Sequence, residues 1–429
     1  MQELISAAKY SLKKLTEHGA AKAQCYVEDV VRTEARLRAY RIRELRTVEQ
    51  QKMMLTAIDA ENRLGTITIT SINTDDIDVA VEDCIAHMKD AVPDQYADIA
   101  QLTHNENFVV GPVECDKAAL VDYVDALIDR FEKKPRTPQA EDELNGQYEH
   151  HSKKSAILNT NGVELTQHIG WYQMNKNKIA DLDVDVDKLS NVELPYDAKK
   201  WADAEVEPIG EKFVGTVLLN PSGMTHLWFL SRMVLINDNA LCDDAMPAEL
   251  RFPWADKAGE KVISDKLTIE EHLLDPRIGG IDRFTSEGYP VQDLKFIKNG
   301  VVSGYPLSQK AAKRRGMPVN SAPQEILKTG KQVFVEAGDT PVAQIISGIK
   351  HGIIVNSLRS CPRDAKGDMN SVINEALLIE DGVITRKVRC MASCNFFDIL
   401  NNVSAVSSEV HFNGESETPW IAFEGFHVS

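Results

Sequence analysis

The sequence predicts an α+β protein: an N-terminal α/β layer with an antiparallel meander, followed by a strand-rich C-terminal domain. Three observations carry this expectation. Apolar spacing changes from helical to alternating after Gly19, which is the switch from a 3.6 to a 2 period. Turn signals of the Asn-Gly and Asp-Gly type stand at 161–162, 299–300 and 381–382, each between apolar runs. A stretch rich in proline and acidic residues, Leu194–Pro208, divides the chain. Residues 1–200 are read as one domain and residues 201–429 as a second.

Taken in order, residues 3–17 place Leu4, Ala7, Ala8, Leu12 and Leu15 on one helical face, and Gly19 is a natural stop. The blocks AQCYVEDVVR, EARLRAYRIREL, QQKMMLTAID and LGTITIT are strand-length, with a turn at Asp59–Asn62. Thr74, Asp75 and Asp76 offer caps for a helix through VAVEDCIAHMK. Residues 90–115 read as loop, Ala118–Lys134 as helix, and 133–147 as an exposed connection. SAILNTNGVELTQHIGWYQM reads as a hairpin turning at Asn159–Gly162. The second domain opens with the strand FVGTVLLN. Pro221-Ser222-Gly223 then leads into an apolar helix, MTHLWFLSRMVL. From residue 283 onward strands and turns dominate.

Composition narrows the function classes. The chain has 429 residues, with 48 Lys+Arg against 65 Asp+Glu, a net charge of −17. Such a field repels nucleic acid and anionic membrane, so neither is an expected partner. No apolar run is long enough to span a bilayer, and the amphipathic start MQELISAAKYSLKKL with Glu3 does not read as a secretory signal. Seven scattered cysteines (25, 84, 115, 242, 361, 390, 394) fit reduced thiols, hence a cytoplasmic location. Cys390 and Cys394 stand four apart in apolar surroundings, VRCMASCNFF, and read as buried structural thiols with a metal or redox role as the alternative.

The common catalytic signatures are absent: no phosphate loop, no dinucleotide fingerprint, no nucleophile elbow and no H-E-x-x-H. His150-His151 read as solvated residues of a polar linker, and His226 as a core or interface histidine on an apolar helix. Glu270-Glu271-His272 reads as a helix surface with no second ligand in helical reach. The acidic run 179–188, IADLDVDVDK, lacks the glycine and terminal glutamate of a calcium loop and reads as a solvated edge strand. The basic run Lys310–Arg315 reads as a helix end.

The order of blocks takes the reading further. The YVED strand, the RLRAYRIRELRTVEQQ pair, LGTITIT, the helix beginning TDDIDVAVEDCIAHM and the hairpin ILNTNGVELTQH come first. TVLLNPSG, FTSEGYPVQDLKFIKNGVVSGYPLSQKAAKRRG (284–316) and INEALLIEDGVITRKVRCMASCNFFDILNNVSAVSSE follow. Over nearly its whole length the chain resembles the TldD/PmbA family, called modulators of DNA gyrase and including zinc-dependent peptidases. The resemblance implies a C-terminal domain of the TldD/PmbA type.

Catalytic members carry H-E-x-x-x-H on the helix after the Asn-Pro turn and a C-terminal Cys as a further ligand; the Glu activates the zinc-bound water. Aligned on Leu219-Asn220-Pro221, those positions fall at or near Trp228, Phe229 and Met233. His226 lies two residues early, and Ser231 stands five residues after it. The final segment HFNGESETPWIAFEGFHVS has no cysteine, and no His-Glu pair occurs anywhere in the chain. The resemblance thus implies a PmbA/TldE-like subunit with no cofactor, zinc belonging to members with the intact motif. Its expected partners are an unfolded peptide and a TldD-like zinc subunit. Two alternatives stay open: a stand-alone homodimer that binds peptide or ligand, and an enzyme with a rearranged site. The latter would use Cys390 or Cys394 with His226 or His351.

Overall fold

A computed structural model describes residues 1–38, 40–101, 105–132, 146–174, 177–184, 188–189, 191–224, 227, 254, 257–305, 307–319, 333–358 and 366–429. It has the α+β, strand-rich fold the sequence predicts. The chain forms two compact units: Met1–Val186 with Leu274–Val291 and Leu307–Pro323, and Asp187–Leu273 with Gln292–Pro306 and Gln324–Ser429.

The first unit begins with helix α1 (Gln2–Glu17), whose Leu4, Ala7, Ala8, Ser11 and Leu15 are buried at helical spacing. Two strands follow that are much longer than the sequence blocks suggest: β1 (Lys22–Arg38) and β2 (Arg41–Ile58), paired from Lys22↔Ile58 to Arg38↔Arg41. Three of the short blocks merge into these two strands, because charged residues interrupt the apolar alternation without interrupting the ladder. Strand β3 (Leu64–Ile69) pairs with β2, and helix α2 (Thr74–Asp90) buries Ile77, Ala80, Val81, Cys84, Ile85 and Met88. Both helices pack on one sheet face, against Cys25, Val27, Met53, Leu55, Ala156 and Leu158.

Strand β4 (Glu106–Val110) lies in the stretch read as loop, and helix α3 (Lys117–Glu132) follows. Next come β5 (Gly146–Asn159), β6 (Glu164–Met174) and β7 (Asn177–Ile179). The Asn159 carboxamide oxygen accepts from the amides of Asn161 and Val163 and shapes the β5–β6 turn. The strand order is β3-β2-β1-β5-β6-β4, with β7 on β6. β4 is parallel to β6, so its partner lies over fifty residues away in sequence and leaves no local hairpin signal.

Two expectations are corrected here. His150 and His151 are not linker residues but belong to β5, His150 being 1% exposed. The acidic run is not an edge strand: β7 ends at Ile179, and residues 180–184 are bends and turns. Residues 133–145 of the expected connection lie outside the described residues, as do 185–187 of the acidic run.

Segments 274–291 and 307–323 complete this unit. Phe284 is buried with Tyr26, Ala100, Ile157, Val163 and Leu165. The basic run forms a short helix, Gln309–Arg315, ended by Gly316 in the left-handed conformation. Its Lys310 and Lys313 pair with Asp94 and Asp98 at 2.6 and 3.0 Å.

The second unit contains β8 (Glu207–Pro208), β9 (Phe213–Leu219), β10 (Ile269–Glu271), β11 (Leu294–Lys298), β12 (Val301–Val302) and β13 (Val333–Val335). Strands β14 (His351–Val355), β15 (Asp368–Glu380), β16 (Val383–Asn395), β17 (Val403–Phe412) and β18 (Glu417–Val428) follow. The pairing closes on itself through β18-β9-β14-β15-β16 and back to β18. A helix, Val342–Gly348, covers one face around Leu218, Ile354, Ile379 and Trp420.

Both hairpin turns read from the sequence of this unit have two residues in the left-handed region: Asn299 (φ 48°) with Gly300 (φ 76°), and Asp381 (φ 48°) with Gly382 (φ 80°). This is the type I′ geometry that favours those residue types. Glu270-Glu271-His272 is corrected from helix to strand β10 and its end. No described helix is long and apolar enough to cross a membrane.

Candidate functional site

β9 ends at Leu219, and the chain turns into a helix at Asn220-Pro221. The Asn220 side-chain oxygen accepts from the Gly223 amide at 2.8 Å, and its carbonyl accepts from Met224 N at 2.9 Å. Asn is a good N-cap, and proline fits the first helical position because that N–H needs no partner there. The described helical residues are 221–224 and the fully buried Leu227.

The C-terminal hairpin meets this helix entry. Asn413 Oδ1 accepts from the amides of Glu415 and Ser416, closing the β17–β18 loop. Thr418, 1% exposed at the start of β18, donates its hydroxyl to the Pro221 carbonyl at 3.2 Å. Two segments nearly two hundred residues apart are therefore in contact. They are the two from which the resemblance draws zinc ligands in catalytic relatives.

Beside this junction lies a cleft of about 470 Å³, lined by Pro221, Val342, Glu409, His411 and Trp420 together with residues 191–195. Trp420 is 1% exposed, and Val342 is buried beside it. Two of its polar side chains are already engaged. His411 Nε2 lies 3.0 Å from the Leu189 carbonyl, which places a proton on that nitrogen. The Glu409 carboxylate accepts from Val342 N at 3.0 and 3.2 Å and from Ser408 Oγ at 3.0 Å. It caps the helix Val342–Gly348, where a negative charge meets the unpaired N–H groups. Among the described residues, the one group of three convergent metal donors lies elsewhere, at Glu211, His351 and Glu380. The described residues of the cleft do not supply the ligand set of a peptidase zinc, and no step is routed through one.

The sequence candidates are scattered. Trp228, Phe229, Met233 and His226 lie outside the described residues. His351 opens β14, opposite Glu380. Cys390 and Cys394 are on β16, opposite Ile373 and Met369 of β15. Along β15, Ile373, the partner of Cys390, and Glu380, the partner of His351, are seven residues apart, about 23 Å of extended strand, so His351 and the two thiols do not converge. Burial pushes the Cys390 thiol up to about 11 and the Cys394 thiol up to about 12. Both stay protonated at neutral pH, the wrong state for a nucleophile.

The sequence-read histidines His150, His151 and His272 have structural partners. His272 stacks on Phe334 at 4.3 Å and pairs with Glu270 at 2.8 Å, which also binds Lys295. His151 stacks on Trp171 at 4.6 Å and pairs with Glu149 at 2.8 Å. His150 Nε2 meets the Pro112 carbonyl at 2.6 Å, and its ring stands edge-on to Tyr172. Burial holds the His150 pKa below the ordinary imidazole value, with the Pro112 hydrogen bond opposing. The unfolded chain therefore binds a proton more readily. The stability from neutral His150 is full above the ordinary value of about 6.5 and is lost as pH falls below it. Denaturant unfolding at pH 7.5 and 5.0 will show a smaller pH-dependent loss for His150→Asn than for the unaltered chain. Equal losses would remove His150 from the acid response.

The sequence profile of the PmbA/TldA metallopeptidase C-terminal domain matches residues 217–429. A metalloprotease of Methanocaldococcus jannaschii is 27% identical over 163 residues, 36% of this chain and 36% of that protein. The matched stretch thus spans little more than a third of that relative's length. Among solved structures, TldE from Thermococcus kodakarensis aligns with a TM-score of 0.73 at 18% identity, over 98% of this chain and 99% of that one. A Bacteroides thetaiotaomicron protein described as a modulator of DNA gyrase aligns at 0.76 and 17% identity, over 100% and 99%. A Thermotoga maritima protein of the same description aligns at 0.75 and 14%, over 98% and 99%. At these identities the structural likeness establishes the fold alone.

Proposed function

Because this chain belongs to the TldD/PmbA family, we propose that it is a subunit without peptidase zinc, which holds unfolded peptide for a zinc-bearing partner of the same family. One observation carries the reading. Aligned on the Asn-Pro turn, the positions of the family's zinc ligands and base fall at or near Trp228, Phe229 and Met233, and the chain nowhere has His followed directly by Glu. Tryptophan and phenylalanine offer neither a zinc donor nor a proton acceptor.

The chemistry of the cleft supports the same reading. Its apolar floor, with Val342 and Trp420, takes side chains with little demand for their identity. Strand β17 borders it through Glu409, Val410 and His411. An extended peptide laid along a strand gains main-chain hydrogen bonds that are independent of its sequence. The five described cysteines are all unpaired thiols, which suits a reducing compartment such as the cytoplasm.

The test compares the chain alone, a zinc-bearing TldD-type protein alone, and the two together, on a reduced and carboxymethylated polypeptide. The chain alone will leave the substrate intact. The mixture will cleave it at least about tenfold faster than the zinc protein alone, and the two proteins will co-elute on size exclusion. Chelator-sensitive cleavage by the chain alone would overturn the proposal. So would separate elution with no gain in rate, which favours the homodimeric binding protein.

A further inference from the structure

We propose that Glu211, His351 and Glu380 form a binding site for a first-row divalent cation of the zinc type, separate from the family's metal helix. One ligand atom from each of the three lies within 4.8 Å of the other two. Two of the residues are fixed by the sheet, since His351 of β14 is the register partner of Glu380 of β15. The turn joining β15 to β16 is anchored by Asp381 N to the Lys350 carbonyl at 2.7 Å and Gly382 N to the Ile349 carbonyl at 2.8 Å. Glu211 comes from the segment entering β9, which runs parallel to β14.

Three features of the imidazole and carboxylates point to a cation. His351 Nε2 is shielded from solvent and makes no hydrogen bond, yet Glu211 Oε1 stands 3.4 Å away. That separation is long for a hydrogen bond between these groups. It matches the roughly 3.4 Å edge of a tetrahedron whose ligands sit about 2.1 Å from a central zinc. Phe213 stacks on the imidazole at 3.9 Å and 17°, so the ring is held in one orientation. Thr385 donates its hydroxyl to the Glu380 Oε2 at 2.5 Å, an outer partner of the kind that orients ligating carboxylates. Two carboxylates this close repel each other, and a divalent ion between them removes that cost.

One imidazole and two carboxylates suit zinc and its neighbours better than thiophilic copper(I) or purely oxygen-seeking magnesium. Three protein ligands leave positions for water or a ligand group. The site lies at the end of β9 and β14 opposite Asn220-Pro221, since their pairing runs from Gly352↔Thr216 to Val355↔Leu219. It is independent of the cleft.

The full chain is stripped with chelator, exchanged into metal-free buffer, and titrated with Zn²⁺ by calorimetry and with Co²⁺ by visible absorption. One saturable ion per chain is expected, with cobalt bands of nitrogen and oxygen ligands and no thiolate charge-transfer band. His351→Ala abolishes binding, and Glu211→Gln weakens it at least about tenfold. Cys390→Ser and Cys394→Ser leave it unchanged. Glu211 is exposed, so its variant keeps the test valid if His351→Ala folds poorly. Undiminished zinc in both ligand variants, or no saturable binding in the unaltered chain, would overturn the site. A peptidase-type zinc would survive His351→Ala and appear as chelator-sensitive cleavage, which separates failure here from failure of the subunit reading.

Discussion

Lys153→Met will destabilise the first unit by about 3–5 kcal/mol at neutral pH. Lys153 sits in β5 with its side chain 12% exposed, and its ammonium lies 3.1 Å from Glu28 and 3.0 Å from Asp282. Tyr26 donates to the same Glu28 oxygen at 2.6 Å, and Gln167 donates to Asp282 at 2.6 Å. Removing the cation strands two carboxylates that have already lost much of their water. Burial by itself lowers the Lys153 pKa, but Asp282, Tyr26 and Glu28 hold it well above the ordinary lysine value. Burial likewise raises Glu28, and Lys153 with the Tyr26 hydroxyl brings it below the ordinary carboxylate value.

The signs define a pH window. A raised lysine contributes fully below its ordinary value of about 10.4 and loses that contribution only as pH rises through the folded value. A depressed glutamate contributes above its ordinary value of about 4.3 and loses it as pH falls through the folded value. The network is therefore intact across neutral pH and fails first on the acid side. Urea unfolding will show the Lys153→Met deficit shrinking toward acid pH. Adding Glu28→Gln to the variant will recover part of it, the coupling that a double-mutant cycle reads. A deficit below about 1 kcal/mol, or one that does not change with pH, would show that the three charges act independently.

Trp420→Ala is the corresponding test in the second unit. Trp420 is among the largest fully buried side chains and packs with Leu218, Val342, Ile345 and Ile346. Large aromatic truncations in cores cost about 3–5 kcal/mol, the spread reflecting how far the site collapses. The same change removes the floor of the cleft. Thermal unfolding will show the loss, and, on the proposed function, co-elution with a zinc-bearing TldD-type protein in the presence of peptide will weaken. Trp420→Phe keeps an aromatic floor and will show a smaller loss in both. Full stability with lost peptide response would make Trp420 a binding residue alone; lost stability with full response would remove the cleft from peptide binding.

The residues that sequence reasoning placed well share a property: their signal is local. Leu4, Ala7, Ala8 and Leu15 declare α1 by spacing, and Asn299-Gly300 and Asp381-Gly382 declare their turns by a conformation few other residues adopt. The residues it misplaced are polar groups whose partners are distant. His150 and His151 look like linker residues because the Pro112 carbonyl that meets one ring and the Trp171 indole that stacks on the other are distant in sequence. Glu270 and His272 resemble a helix surface until Lys295 and Phe334 come beside them. β4 has no turn signal because its partner β6 runs parallel to it.

The same division holds for the site. The sequence by itself determined the α+β class, the turns, the block order that marks the family, and the absence of consecutive His-Glu anywhere in the chain. Each of these follows from residue type and short-range spacing. Only the tertiary structure decided that the helix entry meets the C-terminal hairpin through Thr418, that Lys153 joins Glu28 to Asp282, and that His351 faces Glu380 rather than a cysteine. Those pairings depend on strand register and chain crossings, which bring together residues tens to hundreds of positions apart. A one-residue slip would turn each of them to the opposite face.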